Sequence, residues 1–378
     1  MKQLLLLGAG HAHAQVLRAW AAAPLAGCAL VIVSPSGLAP YSGMVPGWLA
    51  GNYGFDEICI NFAALAQAAG ARLVIDSVAA LDADQRQVHL ASGAVLGYDL
   101  LSLNVGSTLN PPDLQHAGAD AAGQQSGQAA SRVLCMRPLG GLHSAWTTLL
   151  ADPALRSSNA PLTVTAVGGG AAGVESLLAV LARLRALQPG RQCHGKLLTR
   201  STSLLPGMAP GAVRAASTAL AAAGAQVLTN TGFKPDQNGS GLLLWATGAE
   251  AHAWQRSSGL AVSERGFICV NSQLQSTSHP NVFAVGDCAD WAPPLPKAGV
   301  YAVRMGPTLT HNLRAALGPR PGSGGGLMDY QPQHRFLALL ATADGSAAAS
   351  WGPLSAHGRW VLRWKDKIDR RFLQQFKR

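Results

Sequence analysis

The sequence predicts an α/β fold made of two parallel-sheet units, the second inserted in the first, followed by a small C-terminal module. Three observations carry this expectation. Leu4-Leu5-Leu6-Leu7-Gly8-Ala9-Gly10 opens the chain as an apolar run ending in glycines at turn spacing, and a helical pattern starts at His11. Val164-Thr165-Ala166-Val167-Gly168-Gly169-Gly170 repeats that arrangement, 160 residues beyond Leu4. Strand-like runs then return after Gly248, at Phe267–Val270 and Val282–Val285, as if the first unit resumed past the second.

The elements follow in order. Leu4–Leu7 reads as a strand, His11–Ala22 as a helix and Ala29–Ser34 as a second strand. Phe62–Ala69 reads as a helix and Arg72–Val78 as a strand, with Gln87–Leu90 and Leu100–Asn104 as strands around a turn at Ala91-Ser92-Gly93. Gly118–Ser131 has the Gly/Gln/Ala/Ser composition of a linker. The second unit starts near Leu162, with a helix over Ala172–Leu187 and a strand at Lys196–Thr199. A helix at Ala212–Ala222 and strands at Gln226–Leu228 and Leu242–Thr247 continue it. A long helix is expected from Lys297 to Leu317, and Pro319–Gly326 breaks the chain before the last module. The expected domains are residues 1–131 and 251–326 for the first unit, 132–250 for the second and 327–378 for the C-terminal module.

A chain of 378 residues can bury two or three cores. Charged residues are only 13%, yet Lys and Arg exceed Asp and Glu by 29 to 19, for a net charge of +10. Such a surplus suits anionic cofactors, an anionic membrane face or plain solubility. Nucleic acid is not expected, because no basic run interleaved with aromatics precedes the C-terminus. The six cysteines are scattered without any C-x-x-C pair, which fits a reducing compartment and hence a cytoplasmic protein. The apolar start is too short for a secretory signal, and no run reaches the roughly 18 residues of a bilayer span. No His/Asp/Glu cluster has metal spacing, so no metal is expected.

The glycine turns carry the chemistry. A residue without Cβ lets the backbone turn tightly and approach a pyrophosphate held at a helix N-terminus. Both units therefore read as Rossmann-like dinucleotide-binding domains. In the first, Gly8 and Gly10 fill two places of G-x-G-x-x-G, and His13 stands at the third, where it should loosen helix–strand packing locally. Ser34 ends the second strand where a carboxylate normally accepts ribose hydroxyls, and should bond them more weakly. In the second, Gly168, Gly170 and Gly173 complete the fingerprint, with Glu175 on the helix. Thr199-Arg200 then replaces the usual acid. Arg200 can pair with a 2′-phosphate, favouring NADPH, or be a solvated loop charge. Val282-Phe283-Ala284-Val285-Gly286-Asp287 delivers one carboxylate to a strand end, as a ligand or as a helix cap. Pro296-Lys297-Ala298-Gly299-Val300 precedes a helix whose N–H groups favour negative charge on a bound ring.

Together with Ala246-Thr247-Gly248, the order of these motifs resembles the two-dinucleotide flavoproteins of the pyridine nucleotide–disulfide oxidoreductase superfamily. Type II NADH dehydrogenases and sulfide:quinone reductases belong there. Gly10-His11-Ala12-His13, Pro40-Tyr41-Ser42-Gly43-Met44-Val45-Pro46-Gly47 and Pro296–Arg304 look closest to the flavoprotein module found fused to selenophosphate synthetase. The resemblance implies FAD on the first unit, touching Gly8, Ala9, Gly10, His11 and Ala12 at the turn and Ser34 and Pro35 at the second strand. It further implies contacts from Ser42, Val78, Asn104, Gly106, Arg137, Gly286 and Asp287, with Lys297, Ala298 and Val300 beside the flavin ring. NAD(P)H would lie on Gly168, Gly170, Ala171, Ala172, Gly173, Arg200 and Gly248. Glu175 and Lys297 are the catalytic candidates. The C-x4-C pair of the disulfide members is missing from Tyr41–Pro46, so no dithiol relay is expected.

The function this implies is electron transfer from NAD(P)H through FAD to a second acceptor such as a quinone. The rival is a flavin-binding module that serves a partner protein, in selenium metabolism for instance, without turnover. Trp360, Trp364, Ile368, Phe372 and Phe376 recur every fourth residue of a basic tail, a stripe for a membrane interface, a homodimer contact or the protein's own body. The first of these would place the protein peripherally on the inner membrane face.

Overall fold

The computed structural model describes residues 1–111, 132–235, 241–318, 326–333 and 335–377. The expected linker at Gly118–Ser131 and most of the Pro319–Gly326 break lie outside them.

Two five-stranded sheets, each wholly parallel, organise the chain. The first runs in the order Val282–Ala284, Leu100–Leu103, Lys2–Leu7, Cys28–Ser34 and Arg72–Ile75. The second runs Arg132–Cys135, Leu242–Trp245, Leu162–Val167, Cys193–Leu198 and Ala225–Leu228. After the second sheet Ile268–Cys269 pairs with Ala289–Asp290 in a small sheet of its own, and Val282–Ala284 returns to the first sheet, as the insertion reading expected. Leu4, Leu5, Leu6 and Leu7 have no exposed surface, which explains their unbroken apolar run in a strand covered on both faces. The C-terminal module is an antiparallel sheet of Ala338–Ala341, Ala347–Trp351 and Leu354–Gly358, followed by the helix Arg359–Gln374.

Some expectations need correction. The run Arg72–Val78 is two strands, Arg72–Ile75 in the main sheet and Val78–Asp82 in an antiparallel sheet with Gln87–Leu90 and Val95–Gly97. The turn after Leu90 thus leads into Val95–Gly97, and Leu100–Leu103 belongs to the main sheet. Strand Arg132–Cys135 and helix Leu139–Ala151 had no clear sequence signal, since glycines and a short apolar run mask them.

Two contacts hold the helices that frame the first turn. His13 does not loosen the packing. It is fully buried, with Nδ1 2.7 Å from the Gly8 carbonyl and Nε2 2.9 Å from Ser102 Oγ, so the imidazole fills the space a glycine would leave. Pro307 sits inside the helix Gly299–Leu317 and has no N–H for the Val303 carbonyl. Gln15 Nε2, from the helix His11–Ala22, donates to that carbonyl at 2.6 Å instead.

Candidate functional site

A cavity of about 460 Å³ opens at the carboxyl edge of the first sheet, where ligands of open α/β sheets sit. Gly8, Ala9, Gly10, His11, Ser34, Pro35, Ser42, Val78, Asn104, Gly106, Arg137 and Asp287 all line it, from segments scattered over 280 positions of the sequence. Gly8 has φ +93°, and a Cβ there or at Gly10 would overlap Asn104. Asn104 occupies that space usefully. Its Oδ1 accepts the Ala12 N–H at 3.1 Å, and its Nδ2 donates to the Val285 carbonyl at 3.0 Å, tying two strand ends to the start of a helix. Ala12 and Gly286 (φ +71°) stand behind the wall rather than on it.

One of the cavity's carboxylates is Asp287, which follows the strand Val282–Ala284. Arg137 reaches across and pairs with its Oδ2, and both contact Ser107 Oγ. His11 is pushed down to about 4, first by burial and against the pull of Asp287, so it is neutral at pH 7. Its ring meets Tyr41 at 5.3 Å and Phe372 of the C-terminal helix at 5.9 Å.

Several expected residues are placed elsewhere. Lys297 donates to the Ala289 carbonyl, lies 3.3 Å from Asp290 Oδ1 and covers the Phe267 ring at 4.0 Å. Its charge is thus spent on a neighbouring turn; Ala298 and Val300 also miss the cavity wall, which takes Gly299 and Ala302 from this segment. Ser34 lines the cavity but its hydroxyl donates to the Ser36 carbonyl at 2.8 Å. Glu175 lines a separate cavity of about 130 Å³, between residues 46–52 and the C-terminal sheet, where its Oε1 accepts the Ala341 N–H at 2.7 Å. Burial pushes its carboxyl up to about 7, against the nearby Lys365.

The second glycine turn keeps its own geometry. Gly168 has φ +128°, and a Cβ at Gly173 would strike the Gly168 carbonyl, so the turn and helix need both glycines. A Cβ at Gly170 would meet nothing within 4 Å, which leaves the backbone open to a ligand at the start of the helix Ala171–Leu187. Ala171 and Ala172 lie in that first turn, Arg200 is exposed beyond the strand Cys193–Leu198, and Gly248 follows the strand Leu242–Trp245.

The C-terminal helix packs on the protein's own body, one of the places the stripe offered, beside the cavity. Tyr41 and Phe372 are 4.8 Å apart, Lys365 donates to the Gly43 carbonyl, and Tyr53 Oη donates to Asp366 at 2.8 Å. Lys365, Asp369, Phe372 and Leu373 are buried on this inner face, while Trp360, Trp364 and Ile368 are 53%, 40% and 38% exposed. The single expected stripe therefore splits. Four-residue steps drift about 40° each on a helix of 3.6 residues per turn, so Trp360 and Phe372 end about 120° apart. Lys365, one of the cations of the basic tail, turns inward.

Residues 2–312 match the family model of the pyridine nucleotide-disulphide oxidoreductases, most of the chain and both glycine turns. The chain belongs to that family. Among curated proteins, the NAD(P)H nitrite reductase large subunit of Klebsiella oxytoca is 30% identical over 131 residues, 28% of this chain and 14% of that protein. The present chain thus aligns with only a small part of that relative. Among solved structures, the sulfide:quinone oxidoreductase of Aquifex aeolicus aligns over 100% of this chain and 92% of its own, with TM-score 0.71 and 17% identity. The NDH2 of Plasmodium falciparum, solved with NADH, aligns over 99% and 97%, with TM-score 0.73 and 12% identity. At these identities the likeness establishes the oxidoreductase fold.

The glycine cradle, the carboxylate of Asp287 and the neutral His11 fit FAD in the first cavity. The donor set suits a pyrophosphate and a polyhydroxyl chain joined to an aromatic ring.

Proposed function

We propose that this chain is an FAD-dependent NAD(P)H oxidoreductase that passes electrons to a second acceptor, a quinone reached at a membrane surface. The observation that carries the reading is the 460 Å³ cavity, because it gathers the first glycine turn, Asn104 and Asp287 at one sheet edge within a family of pyridine nucleotide enzymes. Bound there, FAD would take two electrons from the nicotinamide and release them to the acceptor.

The protein's part is orientation and electrostatics. The start of the helix His11–Ala22 would hold the pyrophosphate, and Asp287 would accept ribityl hydroxyls while Arg137 and Ser107 fix its carboxylate. The helix Gly299–Leu317 turns its N-terminus to the cavity at Gly299 and favours negative charge on the ring. The open Gly170 turn receives NAD(P)H, with Arg200 favouring the 2′-phosphate of NADPH. No thiol pair is used. Burial pushes Cys59 up to about 12 and Cys288 to about 11, so both are poor thiolates.

The outer face of the C-terminal helix supports the membrane reading. Trp360 and Trp364 stack at 6.2 Å beside exposed Ile368, with Trp351 and Leu354 exposed on the adjoining hairpin. Arg359, Arg363, Lys367 and Arg371 are exposed on the same helix. Aromatic rings with flanking cations suit an anionic lipid interface. No helix among the described residues is long and apolar enough to cross a membrane, so this contact is peripheral. A second copy of the chain is the competing occupant of that face.

The test is direct. Purified protein reconstituted with FAD should show a flavin spectrum that NADPH or NADH bleaches and a soluble quinone restores. Protein that takes up no flavin contradicts the reading; flavin that stays oxidised with both nucleotides leaves only the partner-serving module.

A further inference from the structure

The first cavity holds a carboxylate that the glycine fingerprint did not anticipate. The position that normally supplies an acid for ribose, at the end of the second strand, is Ser34. Its hydroxyl donates to the Ser36 carbonyl at 2.8 Å and accepts the Ser36 N–H at 3.4 Å, so it closes a local turn. The neighbouring parallel strand compensates. Ser34 is in register with Ile75, and the Asp76 N–H donates to the Ser34 carbonyl at 3.0 Å. One step past that pair, Asp76 reaches the same carboxyl edge and lines the same cavity, together with Ser77, Val78 and Trp254.

Asp76 and Asp287 are the two acidic residues on this wall. Asp287 is tied to Arg137 and Ser107, whereas Asp76 is held by the adjacent Ser77 and by Ser92 of the turn after Leu90. Its Oδ1 accepts the Ser77 N–H at 2.7 Å. The Ser92 hydroxyl, then the Ser77 N–H, holds the carboxyl below the ordinary range. The Ser92 N–H is a third, weaker donor; two carboxylate oxygens offer about four acceptor sites, so these bonds fix the group and leave about one site open. Val78 and Trp254 pack on one apolar cluster beside it, giving this end of the cavity an apolar wall next to a fixed anion.

We propose that Asp76 accepts a hydroxyl of the adenosine ribose in the bound dinucleotide, standing in from the neighbouring strand for the acid that Ser34 lacks. The inference rests on the flavoprotein reading above. It adds a specificity: a fixed carboxylate accepts a free ribose hydroxyl and repels a 2′-phosphate, so this cavity takes FAD and excludes NADPH.

Binding of FAD and of FMN, which lacks the adenosine, separates the possibilities without any turnover. Apoprotein of the wild type, Asp76→Asn and Asp76→Ala would be titrated with each flavin and followed by flavin fluorescence. Both variants should bind FAD about 10- to 100-fold more weakly and FMN as the wild type does, the range expected for hydrogen bonds to a charged group. Moving the acid back, in the double variant Ser34→Asp with Asp76→Ser, should recover part of the FAD affinity. Unchanged FAD affinity in Asp76→Asn and Asp76→Ala overturns the inference while leaving the flavoprotein reading standing. Equal losses for FAD and FMN also overturn it, since they make Asp76 a support of the loop. A wild type that binds FMN and FAD equally tightly assigns no role to the adenosine end and overturns it too. Failure of the wild type to bind either flavin removes the underlying reading and the inference with it.

Discussion

Lys365 and Asp369, one turn apart on the C-terminal helix, form an ion pair of 2.7 Å with each side chain only 9% exposed. The pair is held from outside the helix as well. Lys365 donates to the Gly43 carbonyl, and Tyr41, whose hydroxyl is raised by burial and by Asp369, packs on Phe372. A helix from the last module is thereby pinned to the loop that carries Tyr41 and Ser42 past the cavity.

Breaking that pair from one side should be costly. Lys365→Ala leaves Asp369 buried without its cation, an expected loss of about 3–5 kcal/mol. Replacing both residues with apolar side chains, as Lys365→Met with Asp369→Leu, should cost much less. Urea unfolding of the three proteins checks this. A single variant as stable as the wild type would show that the helix is not held here.

Acid should weaken the protein through His13. Burial lowers its pKa from 6.5 to about 4, so between those values the unfolded chain binds a proton that the folded chain refuses. Stability is therefore full above about pH 6.5 and falls towards pH 4, by up to about 3 kcal/mol from this group. His13→Gln, compared by denaturant unfolding at pH 7.5 and pH 5, should show a smaller drop than the wild type. Equal drops in both would assign the acid sensitivity to other groups.

Glu175 should act with the opposite sign. Its carboxyl is raised to about 7, first by burial, so the folded state holds a proton that the unfolded chain releases above about pH 4.5. It therefore costs stability as pH rises from about 4.5 through 7, up to about 3 kcal/mol. Glu175→Gln can still accept the Ala341 N–H. It should melt higher than the wild type at pH 8 and equally at pH 4.5. A variant that melts lower at pH 8 would mean that pairing with Lys365 outweighs desolvation.

The membrane reading makes a prediction confined to exposed residues. Trp360→Ala with Trp364→Ala should lower sedimentation with anionic liposomes several-fold while leaving the melting temperature within about 2 °C, because both rings are at least 40% exposed. Removing the whole helix is a poorer test, since Val361, Phe372, Leu373 and Phe376 are core residues. If neither protein sediments at low salt, the face is free for a second copy, which sedimentation velocity would reveal.

How far the sequence was legible follows from the range of the signals. Glycine turns are local, so both turns were readable, and the helix His11–Ala22 was readable to the residue. The insertion was readable too, from strands that return after Gly248. What failed depended on partners distant in sequence. His13 was expected to disrupt, because nothing near it announces Ser102 as the second partner of its ring. Lys297 was assigned to the ring because its neighbours matched a motif, yet Asp290 and Phe267 take its charge. Glu175 sits on the expected helix, but the C-terminal sheet that covers it is 166 positions away. Asp76 was invisible for the same reason: its place beside Ser34 is a fact of strand pairing.

Rapid mixing of FAD-reconstituted protein with NADPH, and separately with NADH, under anaerobic conditions tests the central claim most directly. The account predicts loss of the oxidised flavin absorbance in a single turnover, faster with NADPH. Arg200→Glu should slow the NADPH reaction, and Asp287→Ala should lower flavin occupancy, at a loss of about 1.5–3 kcal/mol of binding. A wild type that binds FAD but is bleached by neither nucleotide would contradict the account.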